Sequence, residues 1–248
     1  MTAADGFTVF EATEPALNWA KSAHRTALKV ASDPQVRLAN LRHGETWFVG
    51  VDALPNAQDG SIDGTPLDGA WRDTVNWQGE WHRAQLSVVY PGYPERDTGE
   101  TDGTHRYRVK RHAAHVDGLL PLGPDRQRFL QEPHAFILGL PLNVSDGSPL
   151  VVWPGSQRIM GDALRKAIGD ARPQDIDLTE PYQSARRLVF ERITPQRIIA
   201  APGQAVLLHR HLLHGVAPWE ASANAPPEGR MIGYFRPQFS LAEWCREA

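Results

Sequence analysis

The stretch "PHAFILGLPLNVSDGSPLVVWPGS", residues 133–156, contains two apolar runs separated by the turn-forming tripeptide "SDG". Short apolar runs bounded by Ser, Asp, Gly and Pro are typical of buried strands joined by tight turns. Similar runs predict further strands at 46–54, 83–94, 105–117, 196–218 (two strands around a Pro-Gly turn) and 230–239. Such a series of short strands predicts a mainly β fold with flanking helices, a double-stranded β-helix or jelly roll.

Two segments have the apolar periodicity of amphipathic helices. Residues 14–31 begin with a glutamate and a proline that suit a first helical turn, and residues 160–171 form a shorter helix. We find no repeat and no low-complexity linker. The sequence therefore predicts a single domain over residues 1–248, with a helical and irregular support region at 1–82 and the jelly-roll core at 83–240.

The composition excludes several classes of partner. The formal net charge is −3, and Lys and Arg are spread along the chain, so no basic surface for nucleic acid or an anionic membrane is expected. A single cysteine, Cys245, excludes an intramolecular disulfide and a zinc site built on several cysteines. No window approaches the roughly 20 apolar residues needed to cross a bilayer, and no secretion signal is recognisable. We expect a cytoplasmic protein that acts on a small molecule.

The segment "RHAAHVDG", residues 111–118, contains candidate metal ligands. On a regular strand side chains alternate faces, so His115 and Asp117 would project from the same face and could converge on one ion. A third ligand would come from "LLHRHLLHG", which contains three histidines: His209, His211 and His214. Two histidines and one carboxylate are the ligand set of non-haem Fe(II) oxygenases. A structural hydrogen bond between His115 and Asp117 is the alternative interpretation.

The order of these features resembles the phytanoyl-CoA dioxygenase-like family of Fe(II)/2-oxoglutarate-dependent oxygenases. Four segments carry the resemblance, which covers roughly residues 83–240. They are "HVD" (115–117), "GSPLVVWPGSQR" (147–158), "PGQAVLLHRHLLHGVAPW" (202–219) and "GRMIGYFRP" (229–237). The first 80 residues contribute little to it.

The resemblance implies that Fe(II) binds His115, Asp117 and His214, with 2-oxoglutarate and O2 as co-substrates. It also implies hydroxylation of a small molecule with release of succinate and CO2. His214 is preferred because the family's distal histidine directly precedes a small residue; His211 is the alternative. Strand alternation puts His209 and His211 on one face and His214 on the other, so a regular strand could not use all three.

An arginine is expected to bind the distal carboxylate of 2-oxoglutarate, because a buried carboxylate without a cation is costly. Arg230 is the first candidate for this role, and Arg236 is the second because it shares the same strand face. Gln85 and Ser148 are further candidates for contact with the co-substrate. A structural hydrogen bond remains the alternative for both.

Three more residues are candidates for the substrate pocket: Tyr90, Arg111 and His134. Structural contacts remain the alternative for each of them. Two other functions also remain open for the whole chain. One is a cupin-type hydrolase or isomerase that uses zinc or manganese and needs no 2-oxoglutarate. The other is a non-catalytic jelly roll that binds a ligand. The sequence predicts neither the primary substrate nor the oligomeric state.

Overall fold

The computed structural model describes residues 4–245. Its strands are β1 (Phe7–Phe10), β2 (Leu41–Arg42), β3 (Trp47–Gly50), β4 (Gln85–Val89), β5 (Leu119–Leu122), β6 (Gln127–Leu130), β7 (Phe136–Pro141), β8 (Leu150–Val152), β9 (Gln196–Ile198), β10 (Ala205–His209), β11 (His214–Val216) and β12 (Arg230–Phe235). The helices are α1 (Glu14–Ser32), α2 (Pro34–Asn40), α3 (Arg72–Val75), α4 (Asp102–Arg111), α5 (Ser156–Ile168), α6 (Thr179–Arg192) and α7 (Leu241–Trp244), with a 3-10 turn at Pro173–Asp175.

Two antiparallel sheets form the framework of the molecule. The larger has seven strands in the order β1-β10-β7-β12-β4-β3-β2, and the smaller has three in the order β11-β8-β9. Residues of both sheets, such as Ile137 on β7 and Leu150 on β8, line the same interior cavities. A separate hairpin pairs β5 with β6. This arrangement confirms the predicted mainly β jelly roll with flanking helices.

The central strands of the large sheet, β10, β7, β12 and β4, are buried on both faces. On β7 all six residues are buried, and alternate side chains serve different layers. Leu138 and Leu140 pack into a core with Trp19 of α1, whereas Ile137 packs with Leu208 toward the smaller sheet. A strand covered on both faces has no polar side, and this explains why the sequence there is a continuous apolar run rather than an alternating one.

The N-terminal region contributes to this sheet as well as covering it. Helix α1 begins at Glu14 as predicted, with Thr13 as its N-cap, and extends one residue past the predicted end at 31. Strand β1 pairs with β10, and β3 pairs with β4. Strands that precede residue 82 are thus hydrogen-bonded to strands that follow it. The large sheet therefore does not begin at residue 83, the predicted start of the jelly-roll core.

The predicted strand at 105–117 is wrong, because the chain forms helix α4 there. The hydroxyl of Thr101 accepts a hydrogen bond from the Thr104 backbone N–H (3.2 Å) and caps the helix. Asp102 lies in the first turn, and basic residues lie in the last, as the helix dipole favours. His112 and Ala113 then take positive φ values and end the helix, so Arg111 does not share a strand face with His115.

Helix α6 and the 119–130 hairpin lie in segments for which the sequence predicted no element. Helices α5 and α6 pack together over a second core that includes Trp153, Met160, Leu164 and Tyr182. Within residues 4–245, no helix is long and apolar enough to cross a membrane.

Candidate metal centre

His115, Asp117 and His214 meet at the start of β11. The backbone of His115 forms an isolated antiparallel bridge with His214, through the bonds His115 N–H to His214 O (2.8 Å) and His214 N–H to His115 O (3.0 Å). The next residue, Gly215, lies against the segment that follows α4. A Cβ at this position would lie 2.1 Å from the His112 carbonyl oxygen. Packing therefore requires the glycine of the "LHG" motif.

Three donor atoms converge in this cluster. The His115 Nε2 lies 3.0 Å from the Asp117 Oδ1, and the His214 Nε2 lies 3.8 Å from the same oxygen. The two imidazole rings are 4.6 Å apart between centroids. Each residue offers one ligand atom, and these atoms all lie within 4.8 Å of one another. Such spacing would allow a single cation to contact all three.

The other ring nitrogens fix the orientation of both imidazoles. His115 Nδ1 lies 2.9 Å from the Ala113 carbonyl oxygen, and His214 Nδ1 lies 3.0 Å from the Leu212 carbonyl oxygen. A carbonyl can only accept, so Nδ1 carries a proton in both rings. Nε2 of the neutral His214 ring therefore keeps its lone pair, whereas Nε2 of His115 faces Asp117 Oδ1 and would offer a lone pair to a metal after losing the proton that it shares with that carboxylate. Metal-binding histidines are oriented by the same kind of contact.

The charges in the cluster set its protonation. Burial opposes ionisation of Asp117, but the hydrogen bond from His115 and the positive charges of His115 and Arg236 hold its pKa well below its usual range. Burial lowers the pKa of His214 to about 4, so this imidazole is neutral at pH 7. Burial also acts against the charged form of His115, but contact with Asp117 raises its pKa. The cluster thus offers a carboxylate and a neutral imidazole, with His115 sharing a proton with Asp117.

The cluster lines a cavity of about 290 Å³ between the two sheets. Most of the wall is apolar or aromatic, and it includes Trp47 and Tyr234. Gln85 and Arg236 are polar residues of the same wall, and their side chains are hydrogen-bonded to each other. An apolar cavity with a few fixed polar groups is typical of a small-molecule site.

A second, smaller cavity adjoins the first. Four residues border both of them: Ile137, Leu150, Leu208 and Tyr234. Arg230 lines the second cavity at the start of β12 and is 7% exposed. Its Nη1 atom is buried and has no hydrogen-bond partner among the described residues. A buried guanidinium N–H without a partner is costly, so this position favours an anionic ligand.

The structure places four of the other predicted residues away from these cavities. Arg111 stacks on the Phe190 ring (4.6 Å to the centroid) because it lies on α4 rather than on a strand. The Tyr90 hydroxyl accepts a hydrogen bond from Arg37 (3.1 Å), just beyond the end of β4. Both side chains thus make structural contacts, and their prediction as pocket residues is corrected.

His134 and Ser148 also lie outside the two cavities. The His134 Nδ1 lies 3.1 Å from the Arg236 carbonyl oxygen, and its Nε2 lies 3.2 Å from Glu132, in an outer cleft. Ser148 is fully buried in the turn before β8 with a positive φ of 48°. Ser145 of the same turn lines the Arg230 cavity in its place.

The two other histidines of the "HRHLLH" segment do not join the cluster. His211 is fully buried, and its ring lies 4.5 Å from that of Trp244, between centroids. His209 Nδ1 accepts a hydrogen bond from the His211 backbone N–H (3.1 Å). His214, the preferred candidate, is the one that the structure brings to Asp117.

Three aromatic or charged residues of the larger cavity were not singled out from the sequence: Trp47, Glu132 and Tyr234. Tyr234 could have been found, because it lies between Arg230 and Arg236 at the same strand periodicity. Trp47 lies on the sheet neighbour of β4, a pairing that the sequence does not indicate.

No protein-family model and no curated protein matches the chain. Solved structures do match it. The non-heme alpha-ketoglutarate-dependent carbocyclase SnoK from nogalamycin biosynthesis superposes with a TM-score of 0.50 at 13% identity, over 98% of this chain and 87% of that one. EctD from S. alaskensis, solved with 2-oxoglutarate and 5-hydroxyectoine, matches with a TM-score of 0.45 at 16% identity, over 93% and 71% of the two chains. At 13% identity, the similarity to SnoK supports the assignment of the fold and nothing further.

Proposed function

We propose that the chain is an Fe(II)/2-oxoglutarate-dependent oxygenase of the phytanoyl-CoA dioxygenase-like family that oxidises a small molecule. The observation that carries this proposal is the convergence of His115 Nε2, His214 Nε2 and Asp117 Oδ1 on the wall of the 290 Å³ cavity. The fold shared with SnoK is compatible with it. We also infer that residues 1–248 act as one domain, because strands from both the N-terminal and the C-terminal parts build the same large sheet.

The donor set fits ferrous iron. Two imidazole nitrogens and one carboxylate oxygen leave part of the coordination sphere of the ion for other ligands, and thiolates are absent from the cluster. His115 and His214 present Nε2 because backbone carbonyls hold their Nδ1 atoms. Bound Fe(II) would supply the oxidising chemistry with O2 and 2-oxoglutarate, with release of succinate and CO2.

Arg230 fits the distal carboxylate of 2-oxoglutarate better than Arg236 does. Arg236 Nη1 lies only 3.3 Å from Asp117 Oδ2, beside the metal ligands themselves. The distal carboxylate lies at the other end of the co-substrate from the keto acid that would face the metal. Arg230 is separated from the cluster by Ile232 and Tyr234 on the same strand face, and its Nη1 has no partner within the described part of the chain.

The protein also contributes position and a largely apolar wall. Apolar side chains around the reacting groups lower the local polarity, which strengthens the electrostatic contacts among those groups. Trp47 donates a hydrogen bond from Nε1 to the Ser87 hydroxyl (2.9 Å), which holds the indole against the cavity. The exposed apolar side chains of Val51 and Leu120 lie at the cavity edge. A small molecule with a substantial apolar part is therefore the substrate class that we propose.

Turnover with 2-oxoglutarate tests this function. We expect succinate formation to require Fe(II), O2 and 2-oxoglutarate together and to be absent in Asp117→Ala. Screening apolar small molecules for those that raise succinate release would then identify the substrate. A cupin-type hydrolase or isomerase would instead act with zinc or manganese in the absence of 2-oxoglutarate, and a binding protein would take up ligand without forming succinate. Full turnover in Asp117→Ala would refute the assignment.

A further inference from the structure

Arg236 joins the metal cluster to the β-sheet behind it. The residue directly follows β12, and its side chain is 18% exposed, at the junction of the 290 Å³ cavity and the outer cleft. Its Nη1 donates to Asp117 Oδ2 (3.3 Å), and its Nη2 donates to Gln85 Oε1 on β4. One planar guanidinium thus ties the cluster's only carboxylate to a strand of the large sheet.

The backbone of Arg236 is fixed on both sides. Its N–H donates to the His82 Nε2 (2.7 Å), and its carbonyl oxygen lies 3.1 Å from the His134 Nδ1. Gln85 is directly opposite Tyr234 in the β4–β12 pairing. The guanidinium is therefore held in place by rigid elements, whereas Asp117 itself lies in a turn and has no strand to orient it.

The two oxygens of Asp117 have different surroundings. Oδ1 faces the two imidazoles, at 3.0 Å from His115 Nε2 and 3.8 Å from His214 Nε2. Oδ2 faces Arg236. A guanidinium hydrogen-bonded to Oδ2 competes with a metal for that oxygen, so binding through Oδ1 alone is favoured. A carboxylate that bound through both oxygens would take up one of the positions that 2-oxoglutarate and O2 need.

We propose that Arg236 is a positioning residue that restricts Asp117 to one-oxygen binding and orients that oxygen toward both histidines. This inference rests on the proposed function for its biological purpose, but the contact can be tested with a metal alone. A lysine at this position would keep the charge but could not bridge Asp117 and Gln85, because it lacks the planar fork of arginine.

Anaerobic titration of the purified full chain with Co(II), followed by the visible absorption of the bound ion, measures the contact without 2-oxoglutarate. We expect Arg236→Met to weaken Co(II) binding by roughly 10- to 100-fold and to change the absorption spectrum, as is usual when a partner of a metal ligand is lost. Arg236→Lys should recover part of the affinity but not the wild-type spectrum. Arg187→Met, which removes an exposed arginine that lines neither cavity, is the matched control and should bind Co(II) like the wild type.

A second variant covers the case in which Arg236→Met does not fold. Gln85→Leu keeps the arginine but removes its other anchor, and we expect a smaller loss of Co(II) affinity. The double variant should bind no more weakly than Arg236→Met alone, since both changes act through one contact. Wild-type affinity and spectrum in both single variants would overturn the proposal. Co(II) binding that depends on Asp117, without 2-oxoglutarate turnover, would refute the oxygenase function and leave the role of Arg236 intact.

Discussion

Residues 4–245 contain two groups of three histidine and carboxylate side chains whose ligand atoms converge, and these groups have similar composition and different surroundings. The first is the candidate metal centre of His115, Asp117 and His214, called the metal cluster here. The second, which we call the His43 cluster, consists of His43, Asp97 and Glu100, whose ligand atoms also lie within 4.8 Å of one another. Proximity of donor atoms is thus common to both, and it does not by itself identify a metal centre.

The surroundings of the His43 cluster distinguish it from the metal cluster. Each cluster has an arginine beside a carboxylate, since Arg108 Nη2 lies 2.7 Å from Glu100 Oε1 and Arg236 Nη1 lies 3.3 Å from Asp117 Oδ2. His43 Nδ1 lies 2.8 Å from Asp97 Oδ2, and the Gly44 N–H donates to the other oxygen (3.0 Å). None of the residues of the His43 cluster lines either interior cavity. We interpret the His43 cluster as an ion-pair network that fastens α4 and the preceding loop to the turn before β3.

Paired alanine variants give the largest expected difference between the clusters. Asp117→Ala should abolish Fe(II) binding, because it removes the one carboxylate of the metal cluster. Asp97→Ala should retain one Fe(II) per folded chain. The measurement is metal content after anaerobic loading and gel filtration. Loss of iron in both variants, or in Asp97→Ala alone, would show that the comparison is wrong.

Glu100→Gln should reduce stability and leave the metal cluster intact. The Glu100 side chain is 6% exposed and that of Arg108 is 14% exposed, so the variant leaves a nearly buried cation without its carboxylate. Breaking such a pair costs about 3 kcal/mol, which for a chain of this size lowers the melting temperature by roughly 10 °C. The check is thermal unfolding followed by circular dichroism. Glu180→Gln, which removes an exposed ion pair with Arg187, should melt like the wild type.

Arg230→Met tests whether Arg230 and Arg236 have different roles. The variant should weaken 2-oxoglutarate binding by about 10- to 100-fold, the usual loss for hydrogen bonds to a charged group. Fe(II) affinity should stay unchanged, because Arg230 makes no contact with the metal cluster. Equilibrium dialysis with labelled 2-oxoglutarate measures the effect. If affinity for 2-oxoglutarate were unaffected, the distal carboxylate would have to bind elsewhere.

The smallest effect is expected from His211, a buried histidine outside both clusters. Burial, with contributions from His209, Arg210 and Arg165, holds its pKa well below 6.5. The unfolded chain therefore binds a proton more readily than the folded one, so stability falls as the pH drops below about 6.5. His211→Leu should weaken this dependence, as measured by urea unfolding of metal-free protein between pH 5 and about 7.5. An unchanged slope would show that His211 is not responsible.

The sequence predicted correctly those elements whose residue pattern fits only one type of secondary structure. Buried runs such as 136–141 and the capped helix α1 appear where they were expected. Helix α4 was missed because its alternating polar residues also fit the two-residue period of a strand. The helix has no buried residues, so no apolar stripe indicates the helical period. The N-cap at Thr101 and the basic last turn were the signals that indicate a helix there.

Part of the site was predicted for reasons that differ from those the structure gives. The approach of His115 to Asp117 comes from a turn and a single bridge to His214, not from a continuous strand. Arg230 and Arg236 were proposed as alternatives for one role, and the structure places them in different cavities. Contacts across sheets, such as that of Arg236 with Gln85, depend on strand pairings that the sequence does not indicate.

The central claim is that His115, Asp117 and His214 bind one ferrous ion through Nε2, Oδ1 and Nε2. Anomalous diffraction at the iron absorption edge, from crystals prepared anaerobically with Fe(II), tests it most directly. The account predicts one strong peak per chain within bonding distance of those three atoms. A peak beside His43 instead, or none at all in crystals saturated with Fe(II), would contradict it.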